Sequence, residues 1–333
     1  MLCAKKMGRY TAALLLIALA ITARGQNQNY VEKIKTGYKG DTIAGLQTMG
    51  KSLGFCVIGD WGRHGEFYQK VVAEQLGNAS VGVNASFIIS TGDNIYPNGV
   101  ASELDPSWQT AFENVYTAQA THVPWYVVLG NHDYRTNPDA EVAYTKISAR
   151  WKMPARYYSI RKSIAGDTAQ KAEFFFIDTS PYQQAYYKED DYAAKVVTAD
   201  TAAQKKWLEN ALKNSTATWK FVVGHHPLYS AGGRKGKTQD MENGFKNLFE
   251  QYKVDAYLCG HEHHLEYDEP EGVHFVEFIS GAGSEATAVS TAPYAKFALQ
   301  EFGFLTVNVT AAKALFQFIN WQGKVVYTTQ IKK

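Results

Sequence analysis

The chain has 333 residues, with 34 basic and 32 acidic side chains, a formal net charge of +2, 45% hydrophobic and 20% charged residues, and three cysteines. That balance excludes a disordered chain, a cysteine-rich scaffold and a nucleic-acid binder that relies on a basic face. The nine histidines are ordinary as a count; their positions carry more.

Residues 1–25 combine Lys5, Lys6 and Arg9 with an apolar run from Thr11 to Ile21 and the ending Ala23-Arg24-Gly25. This is the pattern of an export signal cut after Gly25, and the run falls short of the roughly 20 apolar residues a membrane span needs. The mature protein is therefore expected to be secreted or periplasmic, with no stable membrane insertion after cleavage. Four basic residues leave with the signal, so 30 basic face 32 acidic ones and the net charge becomes −2. Residues 26–50 read as a mobile N-terminal extension, and 51–333 as a single domain. Cys56 and Cys259 remain, both inside apolar runs, and read as buried free thiols.

Along the domain, apolar runs of strand type recur at Leu53–Ile58, Phe87–Ser90, Trp125–Leu129, Glu173–Ile177, Lys220–Val223 and Val254–Leu258. Helical patterns lie at Ala202–Lys213, capped by Thr201 or Thr198, and at Gly244–Tyr252. From residue 274 the pattern is strand only: His274–Ser280, Phe302–Thr310, Ala314–Asn320 and Val325–Gln330. Continuous apolar strands imply sheets covered on both faces. The expected architecture is α/β (α+β): two mixed β-sheets packed face to face with helices outside, an αββα sandwich of four layers. The polar segments Ser180–Asp200 and Ala231–Asp240 read as exposed loops.

Five of the strand runs end in residues that bind metals. They lead into Gly59-Asp60-Trp61-Gly62, Gly92-Asp93-Asn94-Ile95-Tyr96, Gly130-Asn131-His132-Asp133, Gly224-His225-His226-Pro227 and Gly260-His261-Glu262-His263-His264. In α/β sheets, sites form beyond the carboxyl ends of strands, and a glycine before each donor lets the backbone turn sharply. Hard oxygen donors suit a highly charged ion, and imidazoles suit borderline divalent ions. Two such ions bridged by one carboxylate would clamp a phosphoryl group from both sides. His226 reads as pocket wall beside a ligand, and His264 as a residue at the pocket mouth that touches phosphate. With Asn131 and His132 they form the expected substrate-contact set. Arg234, Lys235 and Lys237 offer positive charge in the loop after His225.

The five motifs together resemble those of the small, tartrate-resistant type of purple acid phosphatase, within the calcineurin-like metallophosphoesterases. The resemblance continues through Phe176-Ile177-Asp178-Thr179 and Ile279-Ser280-Gly281-Ala282-Gly283 and covers roughly Leu53 to Lys332. It implies Fe(III) held by Asp60, Tyr96 and His263. It implies a divalent ion, Fe(II), Zn(II) or Mn(II), held by Asn131, His225 and His261, with Asp93 bridging the two. His132 would protonate the leaving alcohol, so His132 and Asp93 are the expected catalytic residues. The implied activity is acid hydrolysis of phosphate monoesters, small molecules or phosphoproteins, by direct attack of a metal-bound hydroxide in a monomer. The alternatives are a phosphodiesterase or nucleotidase on the same site, and a non-catalytic phosphate- or metal-binding surface protein. The sequence departs from the mammalian pattern at Ala231–Lys235, which lacks the second catalytic histidine and the cysteine found in that region.

Overall fold

The computed structural model describes residues 42–333; the expected signal at 1–25 lies outside them. All six residues of β1 (Leu53–Ile58) are buried, and successive side chains show why. Phe55 stacks on Phe87 of β2 (Ala85–Ser90) at 4.9 Å and meets Phe174 of the second sheet edge-on at 5.2 Å. Cys56 turns the other way, to Ser80 of helix α1 (Gln69–Gly82). One face of β1 thus meets a sheet and the other a helix, which is why the alternation expected of a half-exposed strand is missing.

The first sheet places β1 between β2 and the antiparallel β12 (Gly303–Val309). Beyond β2 come β3 (Trp125–Val127) and β4 (Trp151–Lys152); beyond β12 come β13 (Lys313–Asn320) and β14 (Val325–Lys332). The second sheet has β6 (Asp167–Phe176), β7 (Trp219–Val223), β8 (Ala256–Cys259) and β10 (Val276–Ser280) as a parallel centre. Its antiparallel edges are β5 (Tyr158–Ile164) on one side and β9 (Leu265–Asp268) with β11 (Ala295–Leu299) on the other. Aromatic rings fill the seam, with Phe174 stacked on Phe221 and Phe278 on Phe316. Outside the first sheet α1 buries Val72, Leu76 and Ala79. Outside the second, α2 (Thr201–Asn214) buries Leu208 and Leu212, and α3 (Asn247–Gln251) buries Phe249, against Val222 and Tyr257. The four-layer sandwich is as expected.

Several local expectations change. The cap of α2 is Asp200, whose carboxylate accepts the Ala203 N–H at 2.8 Å; a carboxylate also complements the positive end of the helix. The domain begins before residue 51. Ile43 is buried, and Gln47 exchanges two hydrogen bonds with the side chain of Gln317 on β13. The segment after Ser180 is not a plain exposed loop but a series of short helical turns that buries Tyr186 and Tyr192. Both cysteines are free and buried, and burial pushes the Cys56 thiol up to about 12.

Candidate metal centre

The parallel strands of both sheets deliver their carboxyl ends to one place. There the chain turns sharply: Asp60, Asp93 and His261 have φ of 58°, 50° and 70°, the left-handed region that side chains adopt only under constraint. The glycines leave no room for alternatives. A Cβ on Gly130 would lie 2.2 Å from both the backbone nitrogen and Oδ1 of Asp93, so this glycine is what lets the Asn131 loop close on the Asp93 loop.

Two groups of donor atoms result. In the first, the Tyr96 hydroxyl lies 3.2 Å from Asp60 Oδ1, 3.0 Å from Asp93 Oδ2 and 3.0 Å from His263 Nε2. In the second, Asn131 Oδ1 lies 2.9 Å from His261 Nδ1 and 3.2 Å from His225 Nε2. Asp93 faces both, with Oδ2 toward Tyr96 and Oδ1 3.5 Å from His225 Nε2. Asp60, Asp93 and His263 form one cluster of metal-capable atoms within 4.8 Å, and His225, His226 and His261 a second.

The donor chemistry fits a pair of cations. The first group is three oxygens and one imidazole, two of the oxygens carboxylate and all of them buried. Burial and the Asp93 and Asp60 carboxylates push the Tyr96 phenol well above its usual range, and a bound cation inverts that preference. Burial, though it opposes ionisation, is outweighed at Asp93 by His225, His132 and the His132 N–H, which hold its carboxyl low. In the second group burial, with His226 and His225 nearby, pushes His261 well down, leaving a neutral imidazole.

Neighbouring groups fix which atom of each donor points inward. His225 Nδ1 donates to the Thr91 carbonyl at 2.8 Å, which leaves Nε2 free. His263 Nδ1 faces Glu285 Oε2 at 3.2 Å, which leaves its Nε2 toward Tyr96. The Asn131 amide nitrogen donates to the Tyr192 hydroxyl, turning Oδ1 inward. Such outer contacts orient metal ligands and set their basicity. Asp133 accepts the N–H groups of Gly130 and Asn94 at 2.8 and 2.9 Å, tying the two loops together; burial, with Asp93 beside it, pushes its carboxyl up to about 7.

A cavity of about 570 Å³ opens over the centre. Asn131 and His132 line it. His132 Nδ1 donates to the Pro97 carbonyl at 2.6 Å, and its Nε2 stands 3.9 Å from Asp93 Oδ2. Arg135, Arg234 and Lys237 line the outer part, with Glu189, Asp240 and Glu262 among them. Two expected substrate contacts do not fit. His264 is fully buried and pairs with Glu266, because side chains alternate as the chain enters β9 and the neighbour of His263 faces away from the cavity. His226 lies against His261, 4.4 Å between ring centres, but Thr179 Oγ1 and the Tyr186 hydroxyl take both of its nitrogens at 2.8 and 2.9 Å. It packs behind His261, outside the lining of this cavity, with both ring nitrogens engaged.

Four residues at the centre escaped the sequence reading: Arg63, Glu285, Tyr186 and Tyr192. Arg63 follows the Asp60 motif by three positions and Glu285 follows the Gly281-Ala282-Gly283 run by two, so the motif borders held the signal. The two tyrosines had no local mark beyond a Tyr-rich segment.

The family model of calcineurin-like phosphoesterases matches residues 53–265. Purple acid phosphatase 17 of Arabidopsis thaliana is 33% identical over 95% of this chain and 93% of its own length. The chain belongs to the purple acid phosphatase family. As a member it is a metal-dependent acid phosphatase, and the family implies a binuclear metal centre. Tartrate-resistant acid phosphatase type 5 of Mus musculus is 34% identical over 70% of this chain and 73% of its own length. Among solved structures, GAP50, the anchor in the inner membrane complex of Plasmodium, superposes with a TM-score of 0.73 at 25% identity, covering 84% of this chain and 89% of that one. The yellow lupin purple acid phosphatase PPD1 shares the fold, with a TM-score of 0.61 at 17% identity over 86% of this chain and 54% of that one.

Proposed function

We propose that the protein is an exported acid phosphatase that hydrolyses phosphate monoesters at an Fe(III)–M(II) centre. The observation that carries this reading is the position of Asp93, with one carboxylate oxygen in each of two donor groups of different chemistry. Asp60, Tyr96 and His263 are the proposed ferric ligands, since phenolate and carboxylate are hard donors. Asn131, His225 and His261 are the proposed ligands of the divalent ion, and Asp93 joins the two. When bound, the cation pair supplies Lewis acidity, which acidifies water as the source of the nucleophile and draws charge from the phosphoryl oxygens.

The chain's own groups do the rest. His132 has Nδ1 committed to the Pro97 carbonyl, so the proton it gives up as an imidazolium is the one on Nε2, at the cavity, and goes to the oxygen of the departing alcohol. Asn131 and His132 face the ester there. The Thr91 carbonyl and Glu285 keep His225 and His263 in the tautomers that present Nε2. Export rests on the signal pattern of residues 1–25.

The test is metal analysis of the purified protein beside a pH profile on an aryl phosphate, with a diester and ATP compared. One iron and one divalent ion per chain, an acidic optimum and preference for the monoester are expected. Protein free of iron but fully active overturns the ferric assignment, and preference for the diester or ATP moves the reading to a phosphodiesterase or nucleotidase.

A further inference from the structure

We propose that Arg63 and Glu285 are an opposed charge pair that tunes the proposed ferric site: Arg63 weakens the donor strength of Tyr96, and Glu285 strengthens that of His263. The inference rests on the ferric reading above and adds to it two residues that touch neither a metal nor the substrate.

The guanidinium carbon of Arg63 lies 3.8 Å from the centre of the Tyr96 ring and 4.8 Å from that of Phe67. Both are well inside the range at which a cation is drawn to a ring face. Its Nη2 pairs with Glu285 Oε2, and the same oxygen is 3.2 Å from His263 Nδ1. Its Nε is buried without a hydrogen-bond acceptor. An arginine placed to hold a phosphate would present its donors to the cavity; this one presents its flat face to a ring and is not among the residues that line the cavity.

The position is enforced by the backbone. His64 and Phe67 have φ of 54° and 55°, so with Asp60 itself the loop is held in the left-handed region at three non-glycine residues. His64 lies 3.1 Å from the Tyr96 carbonyl oxygen and 2.8 Å from Thr110 Oγ1, and the Arg63 N–H donates to Gln69 Oε1 at 3.0 Å. These contacts fix Arg63 with respect to the ring it covers.

The ring electrons that Arg63 attracts are those a tyrosinate shares with a ferric ion. A fixed positive charge there lowers the donor level, so the charge-transfer band moves to higher energy and the ferrous state is favoured over the more highly charged ferric one. On the balance of ferric and ferrous states Glu285 acts in the opposite sense. A carboxylate that accepts the Nδ1 proton of a ligand histidine makes the imidazole a stronger donor.

The experiment reads the visible absorption maximum, and the ferric-to-ferrous ratio at one mediator potential, in iron-loaded wild type and variants. Arg63→Gln is expected to move the band to longer wavelength and raise the ferric-to-ferrous ratio about ten-fold, the size of a desolvated cation–π contact. Glu285→Gln, which leaves His263 a weaker donor and the iron more easily reduced, is expected to lower the ferric-to-ferrous ratio, and the double variant to return that ratio toward wild type. Changes of the same sign in the ferric-to-ferrous ratio of the two single variants, or no change at full iron content, overturn the proposal. If Arg63→Gln holds no iron, Arg63→Met, which keeps the apolar stem without the charge, decides: a band at longer wavelength supports the proposal, and an unmoved band overturns it. A wild-type protein that is colourless and free of iron overturns the ferric reading itself, and this inference with it; a purple wild type with unmoved variants overturns the inference alone.

Discussion

Asn131 donates its side-chain amide to the hydroxyl of Tyr192 at 3.3 Å, and that contact decides which end of the amide faces the centre. Tyr192 in turn takes the Nε proton of Arg135 at 2.9 Å, so its hydroxyl is held from the cavity side as well. Tyr192→Phe should therefore loosen only the divalent position. The expected outcome is a fall of about 10-fold in affinity for the divalent ion with the visible band retained, measured by equilibrium dialysis beside the absorption spectrum. Unchanged affinity would mean that the amide is oriented by the cation alone.

Tyr96 is the single phenolic oxygen in the first donor group. Tyr96→Phe should abolish the visible charge-transfer band while leaving Asp60, Asp93 and His263 in place. A spectrum of the iron-loaded variant that keeps the band would remove Tyr96 from the ligand set.

The proposed role of His132 depends on the leaving group. Replacing it with Asn should cost an alkyl phosphate on the order of 10² to 10⁴ in kcat, because an alkoxide needs the proton. An aryl phosphate with an acidic phenol should lose far less. Equal losses on the two substrates in steady-state kinetics would show that His132 positions the ester and does not protonate it.

Asp178 gives a pH-dependent stability. It is buried against Tyr134, and burial pushes its carboxyl up to about 6, above the roughly 3.9 of an unfolded chain. A group raised in this way stabilises fully below its unfolded value and loses that contribution as pH climbs from about 4 to about 6. The shift of about two units corresponds to roughly 3 kcal/mol. Asp178→Asn should therefore stabilise the protein at pH 7 relative to its effect at pH 4, as measured by denaturant unfolding at both. An identical effect at the two values would show that folding leaves the Asp178 carboxyl unshifted.

The seven proposed ligands could be read from the sequence because each stands within a few residues of a strand end, where position in the chain fixes position in space. The strands themselves were legible because β1 and β8 are buried on both faces and so read as unbroken apolar runs. Helix α1 was not, because Gly77, Asn78 and Ser80 sit on its buried side and blur the apolar stripe. Arg63 and Glu285 meet across 222 positions of the chain, a contact no local pattern records. His264 was misplaced for the opposite reason: adjacency to His263 suggested a shared role, while strand alternation turned it to the other side.

The proposed ligands come from both sheets. Asp60, Asp93, Tyr96 and Asn131 follow β1, β2 and β3; His225, His261 and His263 follow β7 and β8. Each cation position draws on both sets, and β1 itself pairs with β12, near the end of the chain. A chain still being synthesised thus carries part of each position long before the rest exists. Ligands that assemble only on folding make metal binding a late event. For the exported protein proposed above, which two metals fill the site is then set by the supply in the compartment where folding finishes, not where the chain is made.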